Sequence, residues 1–478
     1  MVGMKYVVPV NAPDEVSALA AAGADELYCG FLDAWWVERY GDHDSASRRQ
    51  GAANLTSLHD LARTADACVK RGIPLYLALN ARYTEPQLDH LVELCAAFER
   101  MGGTGIIASD LGLFWRLKDA TRLERTVSLL AVVQNAPTLQ AYARLGVNRV
   151  VLPRFVQPAE AAQLLAAVPG MQGESMAFFD KCPWVDGYCR HRHGVSYLPR
   201  QAAVNDAASD LFTFDTTYTA HACMGADCTY ASPYPCAACY LPQFEGAGVA
   251  YAKLGGRGRP LEERLRALRF LREAEGRSQE EVARRYRETF GCACSCYYGE
   301  ATQSRYAIEP IVHTNEGAAC DFVGSETAFE PFRSAVQDLC QKSGAATGAE
   351  TTLLVPPLSE ESLQEFRTLL PALAEWHPAG LRIAVNDLGT FIVLSREQQR
   401  QRFPFTIVVG TLLARTDHPA EVAHFLSPEE NPPRPVWGSR GEPRTLRYRR
   451  PPDPLIEHWS RPSLGEPSAQ AALAFLTE

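Results

Sequence analysis

Short apolar runs alternate with amphipathic stretches through the first half of the chain, the pattern of repeated β-α units around a parallel sheet. The runs predict strands at Tyr6–Val10, Glu26–Cys29, Ile73–Leu79, Gly105–Ala108, Val127–Val133, Asn148–Leu152, Glu174–Phe179 and Val249–Leu254. Helices with sensible ends lie between them. Asp14 caps a helix that stops at Gly23, Thr84 caps Glu85–Arg100, and Pro137 opens one that ends at Gly146. Eight such units predict an α/β fold, a TIM-like (β/α)8 barrel. The eighth strand follows the seventh only after roughly 70 residues, far longer than an ordinary connection.

From Leu261 to Phe290 the pattern turns helical and Arg/Glu-rich, then breaks at Gly291-Cys292-Ala293-Cys294-Ser295-Cys296. The expected organisation is a barrel over 1–290, with a cysteine-rich insertion between strands seven and eight, and a C-terminal α/β module over 291–478. That module contains a partial β-α repeat. Ile107-Ala108-Ser109-Asp110-Leu111-Gly112-Leu113-Phe114 parallels Ala384-Val385-Asn386-Asp387-Leu388-Gly389-Thr390-Phe391, and Thr84-Glu85 matches Ser359-Glu360 upstream. The tail after Asn431, rich in Pro and Arg (Arg444, Arg447, Arg449, Arg450), reads as a solvated arm.

The composition, 46% hydrophobic and 22% charged over 478 residues, excludes a disordered or fibrous chain. A net charge of −9 disfavours nucleic acid as a partner, because a phosphate footprint needs a basic surface. The amino terminus lacks the pattern of a signal peptide and no run of about 18 apolar residues occurs, so a cytoplasmic chain without a membrane span is expected. In that compartment 14 cysteines are expected to bind metal rather than form disulfides.

Cys182 and Cys189 are followed by Cys223, Cys228, Cys236 and Cys239, all on the connection between strands seven and eight. In a β/α barrel that connection lies on the face where chemistry is built. Four thiolates there suit an iron–sulfur cluster, whereas Cys223-x4-Cys228 with Cys236-x2-Cys239 approaches the spacing of a zinc ribbon. His191 and His193 are further donors. Cys292, Cys294 and Cys296 alternate and either cap a second metal site or form a reduced loop; Cys68 and Cys95 lie on helix faces and read as core.

Asn11, Tyr28, Asn80, Asp110, Gln134 and Lys253 fall at or near carboxyl ends of predicted strands and would converge on the same mouth, although helix capping explains Asn11 and Asp110 equally well. Arg49, Lys253 and Arg257 can bind a carboxylate through charge-assisted hydrogen bonds, the plain alternative being solvated surface charge. Trp35-Trp36 either walls a pocket or packs.

Ala22-Gly23-Ala24-Asp25-Glu26-Leu27-Tyr28-Cys29-Gly30 resembles the amino-terminal signature of peptidase family U32. Arg49 to Thr56, Leu79-Asn80, Ser109-Asp110-Leu111-Gly112, Gln134-Asn135, Arg149-Val150-Val151-Leu152 and Lys253-Leu254-Gly255-Gly256-Arg257 continue the resemblance in order, over roughly residues 4 to 260. The chain departs from the family pattern at Pro153-Arg154-Phe155 and at Gly255-Gly256.

The resemblance implies a barrel that holds a 4Fe-4S cluster on four cysteines and performs oxygen-independent hydroxylation, with a prephenate-like oxygen donor. It also implies a possible homo- or hetero-oligomer with another family member. Carried over, Cys182, Cys189 and Cys239 are ligands and Cys223 the third, with Cys228 and Cys236 as alternates and zinc as the alternative metal. The expected function is an iron–sulfur hydroxylase or related redox enzyme acting on a small organic substrate. Asn80, Asp110, Gln134 and Lys253 would be its catalytic residues, and Tyr28, Arg49 and Arg257 its substrate contacts. The alternatives are a U32-type peptidase, although no nucleophile elbow or His-Glu-x-x-His is present, and a non-catalytic metal-binding subunit.

Overall fold

The computed structural model describes residues 3–40, 45–49, 51–179, 234–292 and 296–298, and beyond them 311–314, 320–324, 351–355, 358–375, 381–385, 387–401, 406–409, 444–448 and 467–477. Contacts divide the chain into two compact units, Met1–Val133 with Tyr142–Gln303, and Gln134–Ala141 with Ser304–Glu478.

The first unit is a closed parallel barrel. Its strands are β1 (Lys5–Pro9), β2 (Glu26–Phe31), β4 (Leu75–Leu79), β5 (Gly105–Ala108), β6 (Glu124–Val127), β7 (Arg149–Val151), β8 (Gln172–Phe178) and β9 (Val249–Leu254), with a two-residue strand β3 (Asn54–Leu55) on the flank of β2. Each strand pairs with its neighbour in parallel, and β1 pairs with both β2 and β9, which closes the ring. The β9 strand therefore forms where the apolar run placed it, despite the long connection before it.

One strand forms elsewhere than the apolar run suggests. The run Val127–Val133 contributes only its first residue to β6, because the ladder with β5 pairs Gly105 with Glu124 and ends at Val127. Ser128 then accepts a hydrogen bond from the amide of Leu130 and turns the chain into a 3-10 turn, after which Val132 takes a φ of 52°.

Helices α1 (Val16–Ala21), α2 (Ala34–Tyr40), α3 (Leu58–Val69), α4 (Glu85–Arg100), α5 (Leu111–Leu117), α6 (Ala136–Arg144), α7 (Pro158–Ala166) and α8 (Leu241–Gly246) connect the strands, and α9 (Leu261–Ala274) and α10 (Gln279–Phe290) follow them. Each long helix buries one stripe, as in α4, where Leu88, Leu91, Leu94, Cys95 and Phe98 are covered. Trp36 is buried against Tyr40 and Tyr83, and Trp35 stacks on His90 of α4 at 3.8 Å, so the tryptophan pair packs α2 on α4. α9 returns to the start of the chain. Arg264 donates to the carbonyl of Pro9 at 2.7 Å and pairs with Glu15, while Arg272 bonds the carbonyl of Gly23 and Asp25 at 2.6 Å each.

In the second unit, β12 (Thr351–Val355), β13 (Leu381–Val385) and β14 (Thr406–Val409) are parallel, and β10 (Ile311–Thr314) lies antiparallel on β12. A separate antiparallel pair joins β11 (Cys320–Gly324) to β15 (Arg444–Tyr448). Part of the Arg-rich tail is thus a strand rather than a solvated arm, consistent with the β-favouring Thr445 and Tyr448 within it. Helices α11 (Glu360–Glu375), α12 (Leu388–Gln401) and α13 (Pro467–Thr477) complete the described elements.

The repeat is present in backbone order and in hydrogen bonding. β4-α4-β5-α5 and β12-α11-β13-α12 follow the same succession. Asp110 uses Oδ1 to cap α5 at the amide of Leu113 (2.8 Å) and Oδ2 to hold the amide of Tyr83 (3.2 Å); Asp387 caps α12 at the amide of Thr390 (2.8 Å) and holds the amide of Leu358 (3.3 Å). One carboxylate thus serves two segments in each copy.

The second copy is joined by residues from the first half of the sequence. Asn135 donates to Asp387 at 3.1 Å and to the carbonyl of Leu358 at 2.7 Å, and the amide of Gly389 donates to Thr138 at 2.8 Å. A Cβ on Gly389 would meet Asn135 Oδ1 at 2.0 Å and Thr138 Oγ1 at 2.6 Å. Gly389→Ala is therefore expected to cost this unit about 1–3 kcal/mol by overpacking. Faster amide exchange in α11 and α12, read against barrel amides, measures it.

Candidate active site

Charged side chains fill the barrel interior. Arg149 on β7 makes a bidentate pair with Glu26 on β2, at 2.6 and 3.0 Å, although these strands are not neighbours in the sheet. A bond between non-neighbouring strands has to cross the lumen. Arg149 also reaches Glu174 on β8 at 3.3 Å, donates to the Tyr76 hydroxyl at 3.0 Å, and lies over the ring of Tyr251 at 3.6 Å. The Tyr76 hydroxyl in turn donates to Glu124 at 2.7 Å. Burial alone would weaken the hold of Arg149 on its proton, but the bond to Glu26 and the charge of Glu174 reverse the sign and raise its pKa.

Above this layer, Glu174 accepts from Lys253 Nζ on β9 at 2.7 Å, and the ammonium sits 4.2 Å from the centre of the Tyr28 ring. Burial pushes the Lys253 pKa below its ordinary value; Glu174 opposes that shift, while Arg149 and Arg257 add to it. Lys253 therefore stands near the carboxyl ends of the strands with its proton held chiefly by one carboxylate.

Three stretches of sequence meet on Gly30, near the end of β2. Arg257 donates to the carbonyl of Ser47 at 2.8 Å, Ser47 donates to Asn54 Oδ1 at 2.5 Å, and Asn54 donates to the carbonyl of Arg49 at 2.6 Å. A Cβ on Gly30 would meet Asn54 Oδ1 at 2.2 Å, Arg257 Nη1 at 2.6 Å and the Ala53 carbonyl at 2.9 Å, so only glycine lets these groups close over the strand.

The candidate residues separate as follows. Tyr28, Lys253 and Arg257 come together, the Tyr28 hydroxyl donating to the carbonyl of Leu254 at 2.8 Å. Arg49 enters through its backbone carbonyl. Asn80 follows β4 and has a buried Oδ1 with no hydrogen-bond partner among the described residues, while its carbonyl accepts from Ser109. Asp110 acts as the helix cap described above. Asn11 bridges to the turn after β9, accepting from the amide of Gly258 at 3.2 Å and donating to the carbonyl of Arg259 at 3.3 Å. Gln134 falls in the segment grouped with the second unit.

Among the cysteines, Cys182, Cys189, Cys223, Cys228 and Cys294 lie outside the described residues, as do His191 and His193. The chain re-enters the described structure beside the end of β8. Phe179 donates to the carbonyl of Pro235 at 2.9 Å, Ala237 donates to that of Ala177 at 2.8 Å, and Cys236 bridges to Phe178. Cys239 follows in a 3-10 turn and is half-buried. Cys296 pairs with Cys236 through the backbone, the amide of Tyr297 donating to the Cys236 carbonyl at 3.0 Å. Among the described residues, no three His, Cys, Asp or Glu side chains form a metal-binding group. Cys68 and Cys95 are buried, their thiols pushed up to about 12 by burial, as core positions require.

Sequence reasoning missed Glu26, Arg149 and Glu174 as interior charges and Asn54 as a loop anchor. Their signal is a charged residue inside a short apolar strand, as in Glu26-Leu27-Tyr28-Cys29 and Arg149-Val150-Val151.

A closed parallel β/α barrel, with a charged lumen leading to polar groups at the carboxyl ends of its strands, has the architecture of barrel enzymes. The model of Peptidase family U32 matches residues 11–291, more than half of the chain, and the chain belongs to that family. A protein from Porphyromonas gingivalis named Collagenase is 25% identical over 150 residues, 31% of this chain and 33% of that protein. The chain thus matches about a third of the length of this relative. The structure of the U32 peptidase Mk0906 is similar with a TM-score of 0.33 and 12% identity, over 54% of this chain and 94% of that one. A 2,3-dimethylmalate lyase gives a TM-score of 0.31 and 11% identity over 59% and 89%. Among the described residues, no helix is long and apolar enough to cross a membrane.

Proposed function

We propose that this U32 protein is an iron–sulfur enzyme that performs oxygen-independent hydroxylation, or a related redox reaction, on a small organic substrate at the barrel mouth. The observation that supports the reading is the return of the cysteine-bearing connection to the end of β8, where Cys236 bridges to Phe178 beside β9, the strand that carries Lys253, with Cys239 three residues further on. Cys182, Cys189, Cys223 and Cys239 would hold the cluster, with Cys228 and Cys236 as alternates for the third ligand. Thiolates are soft, anionic donors and suit iron. The cluster would supply one-electron chemistry. Lys253 and Arg257 bind and orient the acidic groups of substrate or of a prephenate-like donor, Glu174 holds the Lys253 proton, and Asn80 Oδ1 accepts a hydrogen bond from the ligand. Assembly with another family member fits this reading.

Anaerobic purification followed by iron, sulfide and zinc analysis tests it. Cys239→Ser is expected to lose most of the iron and the visible absorption while retaining the barrel's circular dichroism. Stoichiometric zinc without iron would overturn the cluster. The relative named Collagenase supports a second reading, a peptidase. Gelatin cleavage that is independent of iron content and lost in Lys253→Met would favour it.

A further inference from the structure

We propose that Arg82, with Arg48 beside it, forms a subsite at the barrel mouth for a small carboxylate that carries a hydroxyl group. Arg82 lies just beyond β4 on a segment held on both sides. The amide of Ala81 donates to the Ala46 carbonyl at 3.0 Å, the Tyr83 hydroxyl donates to the same carbonyl at 2.8 Å, and the Tyr83 amide donates to Asp110 at 3.2 Å. The turn Ser45–Arg48 is thereby fastened to the end of β4. Arg48 occupies the left-handed region with a φ of 57°, an uncommon conformation for a side-chain-bearing residue and one that recurs at functional sites.

The guanidinium of Arg82 makes no hydrogen bond or ion pair among the described residues. Asp110, the acid that acts on it electrostatically, already spends its oxygens on the amides of Leu113 and Tyr83. Burial lowers the Arg82 pKa; Tyr142 and Asp110 oppose the shift and Arg48 reinforces it. A half-buried cation beside a like charge, with no carboxylate of its own, is unfavourable until an anion joins it. The second observation is independent: Asn80 Oδ1, two residues upstream at the same strand end, is buried without a donor. An acceptor in that position selects for a hydroxyl on the ligand, because a buried acceptor left unpaired costs more than a paired one gains. A flat carboxylate matches the guanidinium fork.

The subsite deepens the reading of the mouth as the reaction site, yet it is separable from the cluster: iron content should be the same in Arg82→Gln and wild type whether or not the subsite exists. The test uses the full chain with three probes, malate, succinate and inorganic phosphate, followed by calorimetry and thermal melting. Malate is expected to bind and to raise the melting temperature, succinate to bind several-fold more weakly. Arg82→Gln is expected to lose malate affinity by at least about tenfold, the loss of one charge-assisted contact. Without ligand, Arg82→Gln is expected to melt above wild type, since an unpaired charge has been removed. A purely structural arginine predicts the reverse. Lower melting with the malate response intact, equal binding of malate and succinate, or binding of phosphate alone would each overturn the assignment.

Discussion

Replacing Glu174 by Ala is expected to cost the barrel about 3–5 kcal/mol, because it strips Lys253 of its carboxylate and Arg149 of one of two, in a lumen where neither charge reaches bulk water. The loss should depend on pH, with a determined sign. Lys253 already has a depressed pKa in the folded state, and without Glu174 it falls further. An unfolded lysine keeps its proton up to about pH 10.4. Between the two values the unfolded chain binds more protons, so stability rises with pH. Urea titrations of Glu174→Ala from neutral pH upward should therefore recover part of the deficit, over a wider window than in wild type. A deficit that is flat with pH, or that deepens above neutrality, would mean that Lys253 is not the group left stranded.

Gly30→Ala is expected to damage the mouth more than its size suggests. The added methyl would overlap Asn54 Oδ1, Arg257 Nη1 and the Ala53 carbonyl. The first two can retreat only by giving up their bonds to Ser47 and Arg49. Overpacking of about 1–3 kcal/mol then adds to roughly 1 kcal/mol for each hydrogen bond lost. The prediction is a large fall in unfolding free energy together with loss of substrate turnover, with Gly72→Ala as the comparison. Gly72 has a positive φ, 64°, which Gly30 does not, and nothing stands within 4 Å of its missing Cβ. Gly72→Ala therefore reports backbone strain alone and Gly30→Ala overlap alone; if the two variants lose equal stability, the neighbours of Gly30 give way cheaply and closure over the strand does not depend on glycine.

The barrel was legible because strand, cap and helix repeat with little interruption: Asp110, Thr84 and the apolar stripe of α4 behave as local chemistry dictates. The Asp-Leu-Gly repeat was legible for the same reason, since a capping aspartate needs only its own helix and the preceding segment. The interior charges were not. Glu26 and Arg149 find each other across 123 residues of sequence, and nothing local marks them as partners. Arg82 was invisible too, because its interest lies in bonds it does not make. Gln134 looked like a mouth residue because it follows a strand, yet the contacts of its neighbour Asn135 are with Leu358 and Asp387, more than 220 positions later.

The pairing of Arg264 and Arg272 with Pro9, Glu15, Gly23 and Asp25 bears on how the molecule comes into being. These bonds bridge sequence separations of 247 to 255 residues, so they cannot form until the ribosome has delivered the whole of α9. Before them β9 has to be delivered, and until it is, β1 lacks its partner and the nascent chain carries an unsatisfied strand edge. Contacts this distant make folding slow, because loop closure comes before its reward. The two arginines then act late, as the clasp that commits an open sheet to a closed one.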